Sequence, residues 1–118
     1  MLSFHSQLKV FVATSACDLR MSFNGLWNAA QQQLGEDPKS GALFAFTNRR
    51  HNRVKILYFD GTGVCVLAKR LEEGTFSWPQ SAGEPNAKIR LAPQALQLLL
   101  DGVELKAGAR RAWYEATA

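Results

Sequence analysis

Val54-Lys55-Ile56-Leu57-Tyr58-Phe59-Asp60, then Gly61-Thr62, then Gly63-Val64-Cys65-Val66-Leu67-Ala68-Lys69, is the stretch on which the fold turns. Two runs rich in β-branched, aromatic and aliphatic residues flank a pair that suits a tight turn, which predicts a β-hairpin with a type II′ turn at Gly61-Thr62. With Gly61-Thr62 as the turn, Asp60 faces Gly63, Arg53 faces Arg70, and Lys55 faces Ala68; a turn at Asp60-Gly61 changes the partners but keeps the division of faces, whereas a three-residue loop does not. Because side chains alternate across a strand, Arg53, Lys55, Leu57 and Phe59 share a face with Val64, Val66, Ala68 and Arg70. Val54, Ile56 and Tyr58 share the other with Cys65, Leu67 and Lys69. Like charges in direct opposition cost stability, so Arg53 and Arg70 are expected to face solvent or an anion.

Working outward, Leu8 to Ala13 reads as a short strand. Ser15 and Asp18 offer helix-start chemistry. Apolar residues at Leu19, Phe23, Leu26, Trp27, Ala30 and Leu34 then trace one face of a helix. Asp37-Pro38-Lys39-Ser40-Gly41 is a turn by composition, and Ala42 to Phe46 a strand. Asn48 to Asn52 forms a polar, basic loop. Phe76 to Trp78 and Lys88 to Leu91 are candidate short strands, and Pro93 opens a second helix carrying Ala95, Leu96, Leu99 and Leu100. The order predicts an α+β fold: a small antiparallel β-sheet with two main helices packed on one face. Short links after Phe46 and Asp60 favour hairpins over crossovers. One domain is expected over residues 1–106, with a C-terminal tail over 107–118.

The bulk properties narrow the function. The 118 residues are 47% hydrophobic and 20% charged, as in an ordinary globular domain. No apolar run approaches the ~20 residues that span a bilayer. The N-terminal residues lack the apolar block of a secretory signal. Cys17 and Cys65 make neither a CxxC pair nor a disulfide framework, which points to the cytoplasm. The net charge is +4, and it is concentrated: Arg49, Arg50, Arg53, Lys55, Lys69 and Arg70 lie in one span whose only acid is Asp60. Such a local excess of cations attracts polyanions; the alternative is a solvated charged face.

Four strings, in order, carry a resemblance. The first is Asp18-Leu19-Arg20 followed by Ser22-Phe23-Asn24-Gly25-Leu26. The second is Asp37-Pro38, Ser40-Gly41 and Leu43-Phe44-Ala45-Phe46. The third runs from Asn48-Arg49-Arg50 through Arg53, Lys55 and Leu57 to Asp60-Gly61. The fourth is Lys69-Arg70-Leu71-Glu72, Gly74, Phe76 and Trp78-Pro79. Over roughly residues 8 to 101 the chain resembles the Orf2-like (TnpB) accessory proteins of the IS66 family of bacterial insertion sequences. Met21 departs from the family pattern where a basic residue is common, which is expected to weaken a local phosphate contact. Ala92 stands before Pro93 where a capping Ser or Thr is common, at a cost of about 1 kcal/mol. The resemblance implies participation in transposition, with the cutting and joining of DNA left to a separately encoded transposase.

Two functional readings follow. In the first, Arg49, Arg50, Arg53, Lys55, Lys69 and Arg70, joined by Arg20, contact phosphates of DNA or RNA, since the guanidinium fork offers paired donors. His51 is either a further phosphate contact or a plain exposed loop residue. In the second, the chain is an interaction module that recruits or orders the transposase, with Trp27, Trp78, Trp113 and Tyr114 as aromatic candidates. Trp27 and Trp78 are expected to be packed instead. An enzymatic reading is weakest. Asp18 reads as a helix cap or an ion-pair partner of Arg20. Asp37 and Asp60 read as turn residues, and Glu72-Glu73 lacks a partner motif. No GxSxG, P-loop or HExxH string occurs, and two Cys with two His at no ligand spacing predict neither zinc nor another cofactor.

Overall fold

Gly61 has φ +101°, while Thr62 keeps an ordinary negative φ, the combination that a type II′ turn requires. The computed structural model describes residues 7–80, 87–102 and 114–115. From this turn the hairpin zips in the expected register, Phe59 against Val64 through Lys55 against Ala68 to Arg53 against Arg70. Asp60 fastens the turn. Its Oδ1 accepts from the backbone N–H groups of Thr62 and Gly63, each at 2.9 Å. These bonds hold the Asp60 carboxyl below the usual range.

The elements are β1 (Val10–Ala13), α1 (Phe23–Gln32), a 3₁₀ turn (Pro38–Ser40), β2 (Leu43–Thr47), β3 (Arg53–Phe59), β4 (Val64–Arg70), β5 (Lys88–Leu91), α2 (Pro93–Leu100) and β6 (Tyr114–Glu115). The sheet order is β4-β3-β2-β1-β5-β6. The α+β class therefore holds, with two corrections of detail.

First, the sheet is mixed. β1 runs parallel to β2, with Val10 beside Leu43 and Val12 beside Ala45, and its other neighbour, β5, is antiparallel. The short links did make hairpins. The link from β1 to β2, however, contains α1 and is long enough for a crossover.

Second, the helices cover opposite faces. Every residue of β1 and β2 is buried, and a strand buried at both parities needs a layer on each side. Val10, Val12, Leu43, Ala45, Val54 and Ile56 pack with Ala95, Leu96, Leu99 and Leu100 of α2 and with Phe76 and Trp78. Phe11, Ala13, Phe44, Phe46 and Leu57 pack with Leu26, Ala29 and Ala30 of α1 and with Leu19 and Leu34. Within this second layer the rings of Phe11 and Phe44 stack with centroids 5.8 Å apart.

Three local expectations also change. α1 begins at Phe23, not beside Asp18; Leu19 reaches the core from a turn, and the N-cap Ser22 makes no side-chain cap bond. Phe76 to Trp78 forms no strand. The Trp78 indole instead donates to the Ala13 carbonyl at 2.8 Å, a buried tie between this loop and β1. Phe23, placed by its spacing on the buried stripe, is 49% exposed. Helix α2 does begin uncapped at Ala92, with Pro93 in its first turn. Of the expected tail, Tyr114 and Glu115 pair with Leu91 and Arg90; the rest lies outside the described residues.

Candidate nucleic-acid interface

The link from β2 to β3 is short and polar, so its backbone groups must find partners locally. Asn48 supplies them. Its Oδ1 accepts from the N–H groups of Asn52 and Arg53, both at 3.1 Å, and its Nδ2 donates to Asn52 Oδ1 at 2.7 Å. His51 N donates to Asn48 O at 3.1 Å, and His51 takes φ 57°, a left-handed conformation unusual for a residue with a Cβ. The loop is also tied from outside: Cys17 N donates to Thr47 O at 2.9 Å, and Phe76 N to His51 O at 2.7 Å. Buried Thr47 spans the base of the loop, its hydroxyl donating to Arg53 O at 2.9 Å.

This scaffold turns Arg49 and Arg50 outward, both exposed, beside exposed Arg53 at the start of β3. An open groove of about 400 Å³ runs between the loop and the segment 16–20. Arg20, Arg49, Arg50 and Arg53 line it, with Asp18 as its only acid, so the lining carries a net +3. A second groove of about 320 Å³ adjoins it through Leu19 and Arg53, and extends along the hairpin past Lys55 and Ala68 to Arg70.

The seven basic residues singled out from sequence divide into two groups. Arg49, Arg50, Arg53 and Arg70 form no ion pair among the described residues. The other three are engaged within the chain. Arg20 forks onto Asp18, Nη2 to Oδ2 at 2.7 Å and Nε to both oxygens at 3.0 Å. Those bonds, with the backbone bond from Arg20 N, pull the Asp18 carboxyl down to about 2, so the pair is fully ionised at neutral pH. The expected ion pair is present, but it closes a turn ahead of α1 and does not begin the helix. Lys55 Nζ donates to the Met21 carbonyl at 2.7 Å and so pins the approach to α1. Lys69 points to the other face, where Nζ donates to the Leu100 carbonyl at 2.5 Å, at the end of α2.

Sequence reasoning missed Asn48, the residue that shapes the loop. Its signal was present in Asn48-x-x-x-Asn52, since a side chain of this type readily satisfies backbone N–H groups a few residues on. Cys17 also lines the first groove. Burial, with a smaller push from the Asp18 charge and against a pull from Lys55, lifts its thiol to about 11. Among the described residues no group of three or more His, Cys, Asp and Glu is placed to hold a metal. No helix there is long and apolar enough to cross a membrane. The aromatic candidates fare unevenly. Trp78 is buried, Trp27 is half-buried with its ring edge-on to Phe59 at 6.4 Å, and Trp113 lies outside the described residues.

Fold and groove define a small α+β domain with helices on both faces of a mixed sheet and an arginine-rich loop at its surface. The chain belongs to the family of IS66 Orf2-like proteins, whose family model matches residues 8–110. That family has an accessory, transposition-associated role. Among its relatives is the uncharacterized protein y4hO of Sinorhizobium fredii, 35% identical over 104 residues that make up 88% of each chain. Another is the uncharacterized protein y4jC of the same organism, 32% identical over 97 residues, covering 82% of this chain and 80% of that one. No solved structure is significantly similar to the chain.

Proposed function

We propose that the protein is a non-catalytic accessory factor of transposition that holds nucleic acid by its phosphate backbone. Arg49, Arg50, Arg53 and Arg70 make the contacts. The observation that carries this reading is that, among the described residues, they have no ion pair beside an open groove, while the neighbouring Arg20, Lys55 and Lys69 are occupied. Four cations held side by side without counter-charges repel one another, and a polyanion relieves that repulsion. Arginine suits phosphate because its planar fork presents paired donors. Contacts of this kind position a protein on nucleic acid without reading its sequence, which suits an accessory factor whose partner transposase carries out the cutting and joining. Lys55 and Lys69 take structural roles in this reading, and Arg20, offset by Asp18, adds no net charge.

The test is the triple reversal Arg49→Glu, Arg50→Glu and Arg53→Glu, compared with the parent chain for folding, retention on DNA and capture of the transposase. The expected result is a folded protein that has lost DNA. For the parent chain, affinity should fall steeply with salt, roughly in proportion to the number of phosphates engaged. Unchanged retention by the folded variant overturns the proposal. Loss of transposase capture with DNA binding intact would make the arginine surface a protein-docking face instead.

A further inference from the structure

We infer that the nucleic acid taken by this surface is single-stranded, with a base stacked on the ring of Phe23. The inference rests on the reading of the arginines as backbone contacts and adds to it the kind of strand. Among the described residues the exposed large hydrophobic side chains are Phe23, 49% exposed, and Leu67, 38% exposed. Leu67 belongs to the hairpin face that carries Lys69. Phe23 lies on the side of the arginine grooves, and two ties locate it. Met21, two residues earlier, is held to Lys55, a residue lining the second groove. Trp27, one helical turn later, meets Phe59 near the hairpin turn. The start of α1 therefore lies on the sheet face that carries Arg53, Lys55 and Arg70, with Phe23 between those two anchors.

An exposed aromatic ring on the same face as arginines that have no ion pair among the described residues is the pairing that single strands use. The cations track the backbone, and a base, free of its partner, lays its face on the ring. A duplex keeps its base faces stacked inside and can use only the arginines. Stacking of this kind tolerates any base, as arginine contacts to phosphate do.

The experiment measures binding of a labelled oligothymidine of about twelve nucleotides and of a duplex of the same length, at low salt, by fluorescence anisotropy. Phe23→Ala should weaken the single strand about tenfold and leave the duplex unchanged. Phe23→Trp should retain the single-strand affinity. Circular dichroism confirms the fold of each variant, and the half-exposed site tolerates both substitutions. Equal binding of the single strand by the parent and Phe23→Ala proteins overturns the inference, as does an equal loss on both forms. If Phe23→Ala has no effect while the triple arginine reversal abolishes binding, only the stacking fails. If the triple reversal also leaves binding intact, the backbone reading fails with it.

Discussion

Arg53 and Arg70 stand directly opposite each other across the β3–β4 ladder, both exposed and neither ion-paired among the described residues. Cross-strand pairs of like charge destabilise a sheet by about 0.2–1 kcal/mol relative to neutral pairs, and opposite charges stabilise it by a similar amount. Arg70→Glu should therefore raise the midpoint of urea unfolding while weakening nucleic-acid retention. Both changes should come from one substitution. A variant that is less stable than the parent would mean that Arg70 makes a stabilising contact in the monomer, and its place in the binding surface would be lost.

The loop scaffold makes a different demand. Asn48→Ala removes two acceptor bonds and one donor bond at once and leaves the half-buried N–H of Asn52 and the exposed N–H of Arg53 without their partner. The expected loss is about 1–3 kcal/mol. Asn48→Asp keeps the acceptor and should retain most of the stability. At the neighbouring position, His51→Gly should be close to neutral because φ 57° costs glycine nothing. His51→Val should be destabilised by about 1–3 kcal/mol, since a β-branched residue strains that conformation. Denaturant curves for the four proteins check the ordering. Equal effects of glycine and valine would show that the imidazole, not the backbone angle, matters at 51.

Lys69 belongs to the basic span and lines the second groove, but its ammonium is engaged on the other face. One strand position decides the matter: odd-numbered residues of β4 face α2, and Lys69 reaches the Leu100 carbonyl there. Lys69→Ala should cost about 0.3–1 kcal/mol of stability, as for loss of a cation at a helix C-terminus. Retention on DNA should be unaffected. A DNA defect in this variant, with its stability intact, would return Lys69 to the interface.

The hairpin was legible in its faces, because either two-residue turn with Gly61 sorts the side chains alike, and the structure takes the register set by Gly61-Thr62. The α+β class and both helices were legible for the same reason: their apolar periodicities are distinct. The layering was not. Val10-Phe11-Val12-Ala13 and Leu43-Phe44-Ala45-Phe46 are apolar at both parities, the mark of strands covered on both sides, and that mark weighs against two helices on one face. Of the site, the arginines of the Asn48–Asn52 loop were legible from charge density. The pairing of Arg20 with Asp18 was legible too, from their spacing; the engagement of Lys55 was not, because it bonds a carbonyl 34 positions away, which no local pattern encodes. Phe23 shows the opposite failure. Its spacing from Leu26 and Ala30 fits the buried stripe, yet as the first residue of α1 it is 49% exposed while those two are buried.

Cys17 offers a test by pH. Burial lifts its thiol from the ordinary 9.0 to about 11, so the folded protein holds that proton across an interval in which the unfolded chain releases it. With more protons bound in the native state, stability must fall as pH rises through this window. It is fully present below about 9 and lost progressively as pH climbs through about 11. Cys17→Ala removes this contribution, so the stability difference between parent and variant should narrow between those limits. The same protonation keeps the thiol unreactive. At pH 8 roughly a thousandth of Cys17 is thiolate, and alkylation of a Cys65→Ser protein by iodoacetamide should be correspondingly slow. Rapid labelling of the folded Cys65→Ser protein at pH 8 would show that the floor of the first groove is open to water.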